Sequence, residues 1–157
     1  MYDTIGRHFA ITLLFAAMLI GLSSCGGHSV PDGRSPAPHG LAVVQTARSV
    51  LGVPYAWGGE TPQTGFDCSG LTYWAFSQNG IYLPRTTSDQ ISTGRKVGND
   101  FMPGDLVFFQ IGQGNHVGIY AGQGIFIHSP KSGSVVREEN MFKDYWMSRF
   151  VGARRHF

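Results

Sequence analysis

Apolar positions along this chain change their period several times. An apolar run from Phe9 to Leu22 comes first. A stretch from Gly26 to about Gly40 follows, made of Gly, Pro, Ser and His with almost no apolar content. Leu41, Val44, Ala47, Val50 and Leu51 then recur at the spacing of an amphipathic helix, which Gly52 and Pro54 stop. A second helix is expected to begin at Cys68, with Leu71, Trp74, Ala75 and Gln78 on related turns and a stop at Asn79-Gly80. Residues 81–87 read as extended, leading into a short helix near Ser88 to Thr93. After the turn Met102-Pro103-Gly104-Asp105 the pattern becomes that of strands. Leu106 to Phe109 is a buried strand, His116–Tyr120 and Ile125–His128 form a hairpin, and Phe150 to Arg154 is expected at the sheet edge. Tyr145 and Trp146 are expected to cover the core nearby.

The hairpin carries a geometric condition. Side chains alternate between sheet faces, so a two-residue turn at Gly122-Gln123 puts His116 opposite Ser129 and turns His128 to the other face. An odd-length loop or a glycine bulge lets His116 face His128 directly, and Gly122 and Gly124 permit either. The second register is the expected one.

Composition bounds the rest. The chain has 157 residues, which fits one domain after the N-terminus is set aside. With 42% hydrophobic residues it can build an ordinary core. Its 22 glycines and 13% aromatic content favour strands and turns over a helical bundle. A net charge of +2 without a lysine or arginine run gives no reason to expect a nucleic-acid partner.

The N-terminus reads as an export signal over residues 1–24, with Arg7 and His8 ahead of an apolar run too short to span a bilayer. Leu22-Ser23-Ser24-Cys25-Gly26 resembles the bacterial lipoprotein cleavage box. That resemblance implies lipidation of Cys25, whose acyl chains would anchor the protein to a membrane. Gly rather than Asp at position 26 resembles the sorting signal for the outer membrane, facing the periplasm. Residues 25–40 then form a flexible tether, in which His28 and His39 are solvated, and 41–157 the folded domain. An uncleaved anchor, or a signal with an incidental cysteine, is the alternative.

The chemistry centres on Phe66-Asp67-Cys68-Ser69-Gly70-Leu71, where a Gly- and Pro-rich loop enters a helix. Unpaired N–H groups and the positive end of the helix dipole favour a Cys68 thiolate. A nucleophile of this kind needs a base and a group to orient that base. His116 and His128 supply both types, with His116 exchanging the proton and His128 holding its ring. The Cys68 N–H, with Tyr55, can stabilise an oxyanion. Asp67 is a natural helix N-cap, and with Ser69 beside it can also hold a substrate amine. Arg85 pairs with a carboxylate, internal or on a substrate. One cysteine and two histidines could instead ligate zinc, or be buried structural side chains.

Taken in order, Tyr55-x-Trp57-Gly58-Gly59, Asp67-Cys68-Ser69-Gly70, Leu83-Pro84-Arg85, Pro103-Gly104-Asp105-Leu106-Val107-Phe108-Phe109, His116-Val117-Gly118-Ile119-Tyr120 and Ile127-His128 resemble the NlpC family of peptidoglycan endopeptidases, especially its short enterobacterial lipoprotein members. The resemblance runs from about Val43 to the end. It implies a papain-like α+β fold, with the cysteine-bearing helix packed on an antiparallel β-sheet. It also implies hydrolysis of stem-peptide bonds by Cys68, His116 and His128 without metal or other cofactor. Residues matching Tyr55, Asp67, Ser69 and Arg85 line the substrate side in relatives that cut between D-glutamate and diaminopimelate. Other relatives open D-alanine–diaminopimelate cross-links, and the residues do not choose between the two bonds. A wall-binding or scaffolding lipoprotein on the same fold, and transfer to an acceptor other than water, stay open.

Overall fold

The computed structural model describes residues 38–157. The expected signal at 1–24, the lipid site Cys25 and nearly all of the tether, His28 included, lie outside the described residues.

Helix α1 (Pro38–Arg48) begins with proline, whose missing N–H costs nothing in a first turn. It starts three residues before the expected Leu41, and Ser49 to Leu51 form turns rather than a further helical turn. Val43, Val44 and Ala47 make its buried stripe. A two-rung ladder, β1 (Glu60–Thr61) with β2 (Gly65–Phe66), folds the next loop back to the cysteine. Helix α2 (Cys68–Ser77) starts immediately afterwards. Asp67 caps it from an extended backbone, its Oδ1 accepting the Gly70 N–H at 2.6 Å. Leu71, Ala75 and Phe76 are fully buried, the two large side chains each contributing about 1.5–3 kcal/mol of apolar transfer energy. Helix α3 (Thr87–Ser92) is capped by Thr86.

The remaining elements form one sheet: β3 (Arg95–Val97), β4 (Leu106–Ile111), β5 (Gly114–Gly122), β6 (Ile125–His128), β7 (Arg137–Asn140) and β8 (Phe150–Arg155), with the short helix α4 (Asp144–Met147) before the last strand. Their spatial order is β3-β8-β4-β5-β6-β7, with every neighbouring pair antiparallel. Leu106, Phe108, Val117, Ile119 and Ile127 face α1 and α2. Val107, Phe109, Tyr120 and Phe126 face the other way, under Met141 and Trp146. Trp146 therefore covers core, as expected, while Tyr145 is half exposed.

Two expectations need correction. The last strand is not at the sheet edge, because β3 pairs with its outer side and β4 with its inner side. A buried ion pair fixes it there: Arg155 donates to Asp105, Nε to Oδ1 at 2.6 Å and Nη2 to Oδ2 at 2.7 Å. The hairpin register also differs. Ile119 pairs with Ile127, Tyr120 with Phe126 and Gly122 with Ile125, with a bulge between Tyr120 and Gly122. Counting back along this ladder puts Gly118, not His116, opposite His128. The chain reverses at Gln123 and Gly124, both at positive φ (53° and 77°) as a type I′ turn requires, one position later than Gly122-Gln123. The bulge restores even parity, so His116 and His128 still share a face, as diagonal neighbours.

Candidate active site

Cys68 is the first residue of α2, and two contacts bring it to the sheet. The buried Ser129 hydroxyl donates to the Phe66 carbonyl at 2.7 Å, tying the chain ahead of the cysteine to the end of β6. Strand β6 stops at His128, so β5 runs on toward Gly114 without a partner on that side. Tyr120 donates its N–H to Asp105, toward β4. Alternation then points the Val117 N–H toward the vacant edge, where it faces the Cys68 sulfur. The thiol thus meets β5 at the residue after His116.

The sulfur's environment bears on the thiolate expectation. Burial pushes the Cys68 thiol above its ordinary value, and the Asp67 charge adds to that. The Thr87 hydroxyl and the N–H groups of Val117 and Ser69 pull the other way without prevailing. Burial thus works against a resting thiolate at Cys68 in the free site. Its side-chain hydrogen bond, among the described residues, is with Thr87 Oγ1 at 3.6 Å. Sequence reasoning gave Thr87 no role.

His116 and His128 do come together. Nε2 of His116 and Nδ1 of His128 are 2.8 Å apart. His116 is 5% exposed and His128 fully buried. Burial lowers both imidazoles, His116 to about 3 and His128 to about 4, so both are neutral near pH 7. The indole of Trp146 stacks on His116 and meets His128 edge-on. The zinc alternative does not fit this pair. An ion bonded to both nitrogens at about 2.0–2.1 Å needs them further apart than a hydrogen bond does. Among the described residues no group of three or more His, Cys, Asp or Glu side chains is arranged to hold a metal.

A cleft of about 570 Å³ opens over the sulfur, lined in part by Tyr55, Asp67, Cys68, Ser69 and Arg85, the residues expected on the substrate side. Tyr55 is anchored by its N–H to the Ser134 carbonyl at 2.8 Å. Burial raises its phenol, and the Asp67 charge beside it acts in the same direction. Asp67 is fully engaged. Its Oδ1 accepts from Gly70 N–H, Arg85 Nη1 and Ser69 Oγ, and its Oδ2 from Gly58 N–H and Arg85 Nη2. The carboxylate partner of Arg85 is therefore internal, and Arg85 Nε also donates to Glu60 at 2.9 Å. Asp67 has little left to offer a substrate amine. The cleft also contains Trp57, 91% exposed, which no spacing argument had set apart from its motif.

This geometry has a known counterpart. Residues 52–155 match the NlpC/P60 family. The chain belongs to that family. Gamma-DL-glutamyl hydrolase of Bacillus subtilis (strain 168) is 45% identical over 125 residues, covering 76% of this chain and 30% of that protein. Murein DD-endopeptidase MepH of Escherichia coli (strain K12) is 42% identical over 112 residues, covering 67% and 41%. An NlpC/P60 family protein of Bacillus cereus ATCC 10987 superimposes with a TM-score of 0.71 at 35% identity, covering 77% of this chain and 41% of that one. The matched segment thus spans less than half of each of these relatives. The fold is the α+β, papain-like one of the NlpC/P60 structures, with the cysteine helix against an antiparallel sheet.

Proposed function

We propose that this NlpC/P60 domain hydrolyses amide bonds in peptidoglycan stem peptides with Cys68 as nucleophile, His116 as general base and acid, and His128 orienting His116. The observation that carries this reading is the buried His116–His128 pair, 2.8 Å apart, beside the strand edge where the Cys68 sulfur rests. A neutral thiol and a neutral imidazole make the first step a coupled one. His116 removes the thiol proton as sulfur attacks the scissile carbonyl. The Cys68 N–H, in the first helical turn where no intrahelical acceptor exists, faces the developing oxyanion. The imidazolium then protonates the leaving amine, giving a thioester. Water, deprotonated by the same ring, releases the acid and restores the thiol. Tyr55, Ser69 and Arg85 meet the substrate, while Asp67 acts by holding Arg85 and the helix start in place.

Two relatives are named for different activities, a gamma-DL-glutamyl hydrolase and a murein DD-endopeptidase. The D-glutamate–diaminopimelate and D-alanine–diaminopimelate bonds are the two targets that the family resemblance offers. Digestion of muropeptides with protein lacking residues 1–25 tests the proposal, and mass spectrometry of the products names the bond. Cleavage that disappears in Cys68→Ala supports it. Wall binding without cleavage, unchanged in Cys68→Ala, replaces it with a scaffolding role; ligated products point to transfer.

The cleavage box at Leu22-Ser23-Ser24-Cys25 supports a second proposal, that lipid on Cys25 holds the domain at the outer membrane facing the periplasm. Cys25→Ala is expected to release the protein into the soluble fraction. Retention with the outer membrane would refute the anchor.

A further inference from the structure

The His116–His128 pair has a neighbour that the proposed mechanism leaves unused. Strand β7 pairs His128 with Arg137 and Phe126 with Glu139. Glu139 is therefore one diagonal step from His128, on the same face, as His128 is one diagonal step from His116. Its carboxylate is held from two sides. Oε2 accepts the Trp146 indole N–H at 2.8 Å, and Oε1 accepts the Arg137 Nε–H at 2.6 Å. Oε1 also lies 3.3 Å from Nε2 of His128. That contact is longer and more bent than a well-aligned hydrogen bond, yet Nε2 is fully buried and, among the described residues, has no better partner.

We propose that Glu139 is a positioning residue that fixes the tautomers of both imidazoles, and through them leaves His116 a bare nitrogen for the Cys68 thiol. The proposal rests on the hydrolase reading for its purpose but not for its geometry. An ionised carboxylate only accepts hydrogen bonds. Burial opposes ionisation of Glu139, but its hydrogen bonds from Trp146 and Arg137 outweigh that and hold the carboxyl below its ordinary value. The His128 nitrogen facing it must then carry the ring proton. A neutral imidazole has one such proton, so Nδ1 of His128 is a lone pair. Nε2 of His116, 2.8 Å away, must donate to it. The only proton of His116 is thereby placed on Nε2, and its Nδ1 is left as an acceptor. That is the form a base needs. With the carboxylate gone, the reverse chain becomes available, with protons on both Nδ1 atoms and a donor where the base should be. The orienting group of a nucleophile–base pair has the same task in other hydrolases.

The test is nitrogen-15 NMR of the histidine-labelled full chain, alongside turnover of muropeptides. In the unmodified protein both rings are expected as the Nε2–H tautomer. A proton on Nδ1 of His128 would overturn the proposal whatever any variant does. In Glu139→Gln, whose amide can donate to Nε2, both rings are expected to shift toward Nδ1–H, with kcat down about 10- to 100-fold and KM little changed. Glu139→Asp, which restores a carboxylate, is expected to recover the tautomer and part of the rate. Trp146→Phe removes the donor to Oε2 and is expected to leave both tautomers in place. Unchanged tautomers and kcat in a folded Glu139→Gln protein would overturn the assignment. If the unmodified chain cleaves no muropeptide, the hydrolase reading fails while the ring protons still decide this one.

Discussion

Gly118 lies directly across the ladder from His128, and that bare position is what lets His128 reach diagonally to His116. A Cβ at Gly118 would fall 2.6 Å from the Phe126 ring, 2.8 Å from the Ile127 carbonyl and 3.2 Å from the His128 Cβ. The carbonyl belongs to the backbone of β6 and cannot swing aside. Gly118→Ala is therefore expected to cost about 1–3 kcal/mol in urea denaturation. It should also lower kcat although no polar atom is lost. Full activity with unchanged stability would contradict this packing.

Burial around Cys68 makes a direct prediction about its reactivity. In protein beginning at Gly26, Cys68 is the only thiol. Its alkylation by iodoacetamide is expected to rise with a midpoint above the ordinary thiol value of about 8.5. Thr87→Val, which removes the hydroxyl facing the sulfur, is expected to move the midpoint higher still. A midpoint at neutral pH would show a resting thiolate and a different first step.

The imidazole pair makes the fold sensitive to acid. His116 titrates near 3 and His128 near 4 in the native protein, against about 6.5 when unfolded. Below about pH 6.5 the unfolded chain binds protons that the native chain refuses, so stability falls as pH falls. The slope can approach about 1.4 kcal/mol per pH unit for each ring. His156, also lowered by burial, acts in the same direction. Urea midpoints measured between pH 7 and pH 5 are expected to decrease steadily. A flat profile would mean that the rings are not buried as neutral groups.

The cleft wall should be sensitive to Asp67 and tolerant at Glu60. Asp67 caps α2 and receives two guanidinium hydrogen bonds from Arg85. Asp67→Ala is expected to destabilise by about 2–4 kcal/mol, combining a lost cap with lost charged hydrogen bonds. The Glu60–Arg85 pair is half exposed at its acidic end, and Glu60→Gln should cost under about 1 kcal/mol. Equal losses from the two substitutions in thermal or urea melts would show that Arg85, not the cap, is what matters.

What the sequence discloses here follows how strongly each segment is patterned. Cys68 to Ser77 is bounded by a capping Asp67 and by Asn79-Gly80, and the helix appears with that cap. Leu106 to Phe109 is a short apolar run behind a turn, the pattern of a buried strand, and it forms one. Strand β7, by contrast, is Arg137-Glu138-Glu139-Asn140, an edge strand without an apolar residue, so nothing in its pattern announces a strand. Glu139 was missed for that reason. Arg95-Lys96-Val97 is equally silent, and without it the last strand looks like an edge. The hairpin register depended on which glycine-flanked pair makes the reversal, and the left-handed backbone at Gln123 is a choice that no residue type compels.

The extra residue at the tip of that hairpin has a consequence for how the domain tolerates change. A slide that irons the kink flat would re-pair every residue of β5 and β6 beyond Gly122 and Ile125, and would turn His128 out of reach of its partner and to the opposite face of the sheet. Where the two-residue turn is kept, a single residue gained or lost within either strand without a compensating irregularity therefore dismantles the constellation from a distance.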